Sequence, residues 1–106
     1  MRKSKFRNLD KRAREASELL AVMANEKRLM ILCHLLDGEV SVNDLAGLTE
    51  MNQSALSHQL AKLRAHKLVE TRRSGQQVNY RLASKNVESV LQTLYRIYCD
   101  PATTSA

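Results

Sequence analysis

Seven positions in this chain carry side chains that could do chemistry, in two groups. The first is Gln53, Ser54, Ser57, His58 and Lys62, within the stretch NQSALSHQLAKLRAHK at 52–67. At 3.6 residues per turn these polar groups share one side of a helix, while Ala55, Leu56, Leu60, Ala61 and Leu63 line the other. No carboxylate interrupts the polar side. Short hydrogen-bonding groups without negative charge suit a polyanion, and Gln, Ser and His can read base edges in a major groove. A solvated helix face is the competing reading. The second group is Cys33 and Cys99, the chain's two cysteines. Cys33 continues the apolar face of its helix, as an inert core thiol would. Cys99 follows a helix C-terminus beside Asp100, where partial negative charge disfavours a thiolate, although Arg96 three residues back offsets it.

The elements that must position these groups follow from periodicity and capping. Residues 1–9 are expected to be a flexible basic arm, 10–99 a single domain, and 100–106 a disordered tail. Ala13, Ala16, Leu19, Leu20 and Met23 predict an amphipathic helix from Asp10 to about Met23. Asn25 can cap a second helix, Glu26 to Leu36, with Leu29, Leu32, Cys33 and Leu36 facing inward. Gly38 suits the stop after it. Ser41 and Asp44 make an approximate capping box for a short helix over 42–48. Thr49-Glu50-Met51 then separates it from the 52–67 helix. Two helices joined by so short a turn, the second bearing the reader face, form a helix-turn-helix.

Beyond His66 the period changes to two. Residues 68–72 and 78–82 read as strands of a hairpin, with Arg73-Ser74-Gly75-Gln76-Gln77 as its loop. Arg72, Arg73, Gln76 and Gln77 stand at the tip of this wing. Ser84 can cap a final helix running to Cys99, whose face of Val87, Val90, Leu91, Leu94, Tyr95 and Tyr98 is too broad for one terminal helix. The fold class is thus mainly α with a small β-hairpin, a winged helix-turn-helix in the order α-α-α-α-β-β-α. Its first and last helices would pair two copies into a homodimer, as a palindromic DNA site demands.

Charge supports a nucleic-acid partner. The 106 residues carry a net charge of +6, with a sequence pI near 9.7. Residues 1–28 hold nine Lys/Arg against four acids, and residues 62–81 hold six against one. Residues 29–61 hold four acids and no Lys or Arg, so the flanks must supply the attraction for phosphate. No apolar run approaches the ~18 residues of a membrane span, and the N-terminus lacks the apolar core of a signal peptide. A cytoplasmic, nucleoid-associated protein without membrane contact is expected, and two cysteines there do not make a disulfide framework. An enzyme is disfavoured. There is no phosphate loop, and Cys33 and His34 point about 100° apart on a helix. His34, His58 and His66 suggest no metal site, and no cofactor is expected.

Three segments together resemble the ArsR family of bacterial winged-helix repressors: LAVMANEKRLMILCHLL at 20–36, SVNDLAGLTEMNQSALSHQLAKLRAHKLV at 41–69, and TRRSGQQVNYRL at 71–82. By that resemblance Gln53, Ser54, Ser57 and His58 face the groove, Arg72, Arg73 and Gln77 grip DNA through the wing, and the end helices dimerise. Metal-sensing members carry a cysteine pair before the reader or an Asp/His set on the last helix. Here Ser41-Val42-Asn43-Asp44 holds no thiol, and 85–99 holds Glu88 but neither Asp nor His. The placement LCHLL plus YRIYC instead resembles the BigR/SqrR/HlyU subgroup, whose members sense reactive sulfur species through two such cysteines, some responding to oxidants as well. The resemblance implies that an inorganic or low-molecular-weight persulfide joins Cys33 to Cys99 by a polysulfide bridge, and that the bridge lowers operator affinity. From the weak activation of Cys99, the expected order is attack of Cys33 on the donor, then closure by Cys99. A family member with passive cysteines, or a winged helix that binds protein instead of DNA, are the alternatives.

Overall fold

The computed structural model describes residues 5–100. Its elements run α1 (Arg7–Met23), α2 (Glu26–His34), β1 (Val40–Ser41), α3 (Val42–Thr49), α4 (Gln53–Ala65), β2 (Val69–Ser74), β3 (Gln77–Leu82) and α5 (Lys85–Tyr98). Helices α2 to α5 each begin at a side-chain cap. Asn25 accepts from the Arg28 N–H at 3.0 Å and Ser41 from Asp44 at 3.1 Å. Asn52 accepts from Ala55 at 2.8 Å and Ser84 from Val87 at 3.2 Å. Each satisfies an N–H that the helix itself leaves without an acceptor. Asn52 fixes the start of α4, so Asn52→Ala should cost about 1 kcal/mol of stability, measurable by urea denaturation.

Both helices of the helix-turn-helix stop without glycine. Glu50 and Lys67 take left-handed conformations, φ 55° and 62°. After α3, Met51 donates to Ala46 O and Glu50 to Gly47 O. After α4, Leu68 donates to Leu63 O and Lys67 to Arg64 O. These are paired Schellman closures. In each, the residue after the left-handed one is apolar and buried, Met51 and Leu68. Burial of that side chain fixes the exit direction of the chain and offsets the steric cost of a Cβ in the left-handed region.

One core joins the elements. Ile31, Leu32 and Leu35 from the α2 region meet Leu45 of α3, Leu56, Leu60 and Leu63 of α4, and Val87 and Leu91 of α5. The inward face of α2 is therefore turned from the expected one. Leu32 is central, but Cys33, Leu29 and Leu36 are only partly buried. Ile31 and Leu35, four residues apart, take the centre instead. Helix α2 also ends at His34 and tightens into i→i+3 bonds from Leu35 to Leu32 and Leu36 to Cys33.

Three other expectations are corrected. Helix α1 begins at Arg7 rather than Asp10, so the last residues of the expected arm are helical; residues 1–4 and 101–106 lie outside the described residues. The hairpin loop is shorter than read, because Ser74 pairs with Gln77 and only Gly75-Gln76 turns. Gly75 at φ 62° in the first central position fits a tight hairpin turn open to glycine. Finally, β1 pairs with β3, Val40 opposite Tyr80 and Ser41 opposite Asn79, giving the antiparallel order β1-β3-β2. Two residues are too few for a visible alternation.

Candidate nucleic-acid interface and thiol pair

The polar side of α4 is built as its spacing requires. Leu56, Leu60 and Leu63 are buried, and Gln53, Ser54, Ser57, His58 and Lys62 are all exposed. The helix has no acid in its first turn and Lys62 and Arg64 in its last. Ala61 is exposed rather than on the core face, because 61 lies two turns beyond Ser54 on the helix. Arg64, not singled out from the sequence, is exposed seven residues from Ser57 and so shares this side. That spacing is the available sign.

Two polar ties orient α4. Gln53 Nε2 donates to Asn43 Oδ1 of α3 at 3.4 Å. Arg28 of α2 donates through Nε to Val22 O at 2.7 Å and through a guanidinium nitrogen to Gln59 Oε1 at 3.2 Å. The second tie links the α1–α2 junction to the flank of the reader helix across a gap of primary sequence that periodicity cannot bridge.

On the wing, the pleat sends Thr71 and Arg73 to one face and Glu70, Arg72 and Ser74 to the other. Arg73, Gln76 and Gln77 are exposed at the tip. Arg72 is not free. Its guanidinium donates to both carboxylate oxygens of Glu39, at 2.8 and 2.6 Å, and Asn79 adds a third contact at 3.5 Å. The hydrogen-bonded Arg72 guanidinium holds the Glu39 carboxyl below its ordinary range, with Arg81 and Asn79 adding smaller support against partial desolvation.

The thiols lie at the ends of two helices. Cys33 is in the last turn of α2 and partly buried; Cys99 follows α5 and is exposed. Both are free. Burial pushes the Cys33 thiol up, and the charge of a Cys99 thiolate nearby raises it further. The fold thus brings two thiols that are distant in sequence into the same neighbourhood. Leu36, just after α2, shares a cleft with Thr93, Arg96 and Asp100 of the α5 end.

Surface apolar residues concentrate on the end helices: Leu9 and Leu20 on α1, and Tyr95, Ile97 and Tyr98 on α5, the last 74% exposed. Leu9, Ala16 and Leu19 line a groove with Val90 of α5. Ile97 adds to the α5 face read from sequence. Among the described residues no three His, Cys, Asp or Glu side chains gather as a metal site would need, and no helix is long and apolar enough to cross a membrane.

A capped two-helix unit with an acid-free outer helix, followed by a basic hairpin, defines a winged helix-turn-helix DNA-binding regulator. Residues 25–71 match the family described as bacterial regulatory protein, arsR family. The chain belongs to that family: it is 47% identical over 94 residues to the transcriptional activator HlyU of Vibrio cholerae, covering 89% of this chain and 87% of that protein. It is 41% identical to the biofilm growth-associated repressor of Agrobacterium fabrum, over 88% of this chain and 80% of the relative. The solved structure of the transcriptional repressor BigR from Xylella fastidiosa superposes with a TM-score of 0.86 at 37% identity, covering 92% of this chain and 99% of that one. Reduced HlyU from Vibrio cholerae gives 0.83 at 47% identity, covering 88% and 98%.

Proposed function

We propose that this chain is a dimeric, sequence-specific repressor whose hold on operator DNA is released when persulfide ties Cys33 to Cys99. The observation that carries the reading is the placement of the thiols: Cys33 lies in the last turn of α2 and Cys99 just after α5, and Leu36 beyond α2 shares a cleft with Arg96 and Asp100, the residues flanking Cys99. Apolar surface on α1 and α5 supports pairing of two copies through those helices. The two reader helices would then enter successive major grooves about 34–36 Å apart. Gln53, Ser54, Ser57 and His58 read bases, while Lys62, Arg73, Gln76 and Gln77 hold backbone. Residence on the nucleoid, in the cytoplasm, follows from that role.

The order of sulfur transfer is the reverse of the one expected from the sequence. Cys99 is open to solvent and Cys33 is half-buried with its thiolate disfavoured, so Cys99 meets the donor first. Its thiolate takes the outer sulfur of a persulfide RSSH and releases RSH, leaving a persulfide on Cys99. A second and a third transfer lengthen that chain. Cys33 then attacks it and expels the terminal sulfur as hydrosulfide. Three RSSH and two thiols thus give a tetrasulfide, three RSH and one hydrogen sulfide, with the sulfane sulfur as the oxidant. A direct disulfide would need Cα atoms about 4.4–6.8 Å apart, and intervening sulfurs relax that demand.

The test pairs intact-mass measurement with DNA titration, using duplexes enriched from a random pool by the reduced protein. Donor treatment should add two sulfurs, remove two hydrogens and leave no free thiol. The same sample should bind DNA about 5–150-fold more weakly, a coupling of about 1–3 kcal/mol. Equal affinities for the two forms would refute the release mechanism. The relative named as an activator favours one variation: at a site shared with another silencer, the same binding would relieve repression.

A further inference from the structure

The wing carries three arginines, and the structure separates them. Arg72 is clasped at two oxygens by Glu39, and Arg81 donates to Glu70 at 2.6 Å. Arg73 has no ion-pair partner among the described residues. We infer that Glu39 is a positioning and specificity residue: it holds Arg72 as a strut against the wing base and withholds its charge from DNA, leaving Arg73 as the wing's phosphate contact. This rests on the DNA-binding reading and is independent of the thiols.

Glu39 precedes β1, and Arg72 lies opposite Asn79 on the outer face of the hairpin, so the pair and Asn79 fasten β2 and β3 to the turn after α2. Isolated surface ion pairs contribute little, but a bidentate guanidinium–carboxylate pair has the geometry that does. The Glu39 side chain is 25% exposed and that of Arg72 52%. Transferring Arg72 to a phosphate would swap one two-point anion contact for another. It would also leave the Glu39 carboxylate unneutralised beside the DNA backbone. Nothing is gained by the exchange, so the pair persists in the complex. The consequence is a wing whose sequence-independent attraction is smaller than its arginine count suggests.

Salt dependence of DNA binding reads this directly, since each phosphate neutralised steepens the slope of log K against log[salt] by about 0.9. Glu39→Gln removes the competing charge and should steepen the slope by about 1.8 for a dimer with two wings. That is roughly tenfold more affinity lost between 50 and 200 mM salt. Arg72→Met combined with Glu39→Gln, which removes the pair without leaving a charge behind, should leave the slope at the wild-type value, and Arg73→Met should flatten it by about 1.8. Binding to random duplex should tighten in Glu39→Gln more than binding to the enriched site. An unchanged slope in Glu39→Gln, or a flattened one in the double variant, would overturn the inference. A purely structural clamp would weaken binding without moving the slope. If the wild-type chain binds no duplex at all, the DNA-binding reading falls and this inference with it.

Discussion

Replacing Cys33 with serine should leave operator binding at the level of the reduced wild type and abolish its loss on persulfide treatment. The exchange of sulfur for oxygen is small, and Cys33 lies at the edge of the core rather than at its centre, so the fold should persist. Without Cys33 no tie between α2 and α5 can close, and the whole fold-change in affinity, about 5–150, disappears. The mass spectrum should still show sulfur added at the exposed Cys99. Cys99→Ser should lose the DNA response as well, but it should also slow sulfur uptake at Cys33, because that thiol is half-buried and its thiolate disfavoured. Rapid persulfidation of Cys33 in Cys99→Ser would reverse the proposed order. The closing step has a pH signature. Its nucleophile is the Cys33 thiolate, whose pKa lies above the ordinary thiol value, so closure should accelerate as pH rises through and past the ordinary thiol range.

The largest stability effect should come from Leu56→Ala. Leu56 is fully buried in the first turns of α4, packed with Leu60, Leu63, Leu32 and Leu45 in one cluster. Truncating such a side chain to its Cβ costs about 2–5 kcal/mol, part of it the unfilled cavity. Domains of this kind have about 5–15 kcal/mol in all. Thermal unfolding should therefore shift down by on the order of 10 °C or more, and DNA binding should weaken with it. The neighbouring position is the control. Ser57 is exposed, about 100° around the helix from Leu56, so Ser57→Ala should leave the melting temperature nearly unchanged and still weaken operator binding by about 1 kcal/mol. A Leu56→Ala protein as stable as wild type would mean that α4 does not carry the core as described.

The difference between those two positions shows what can be read in advance. Asn25, Ser41 and Ser84 are legible as caps because a cap is a local bond spanning three residues. The alternation of Leu56, Leu60 and Leu63 with Gln53, Ser57 and His58 likewise needs only helical geometry. What escapes is non-local or chemically quiet. Glu39 and Arg72 meet across a sheet whose third strand is two residues long. Arg28 reaches Gln59 between helices. The stops at Glu50 and Lys67 lack glycine, and their sign is the apolar residue that follows. Ala61 satisfies either side of a helix, so spacing alone assigns it to the wrong one. The sequence also cannot rank the thiols, because exposure of Cys99 and burial of Cys33 depend on how α2 and α5 pack.

The polar side of α4, to which the proposed function gives the reading of bases, contributes no side chain to the core. Ser54, Ser57, His58 and Lys62 are all exposed, and three leucines on the far side of the helix hold it in place. Recognition and folding are therefore nearly independent in the energies they draw on. A lineage descended from this chain can drift to a new operator through successive substitutions at those four positions, each almost neutral for stability and none requiring a compensating change elsewhere. The proposed response to sulfur, held at the far ends of α2 and α5, would be inherited intact by every such descendant. One sensing device could thus pass through many regulons while only its address changed.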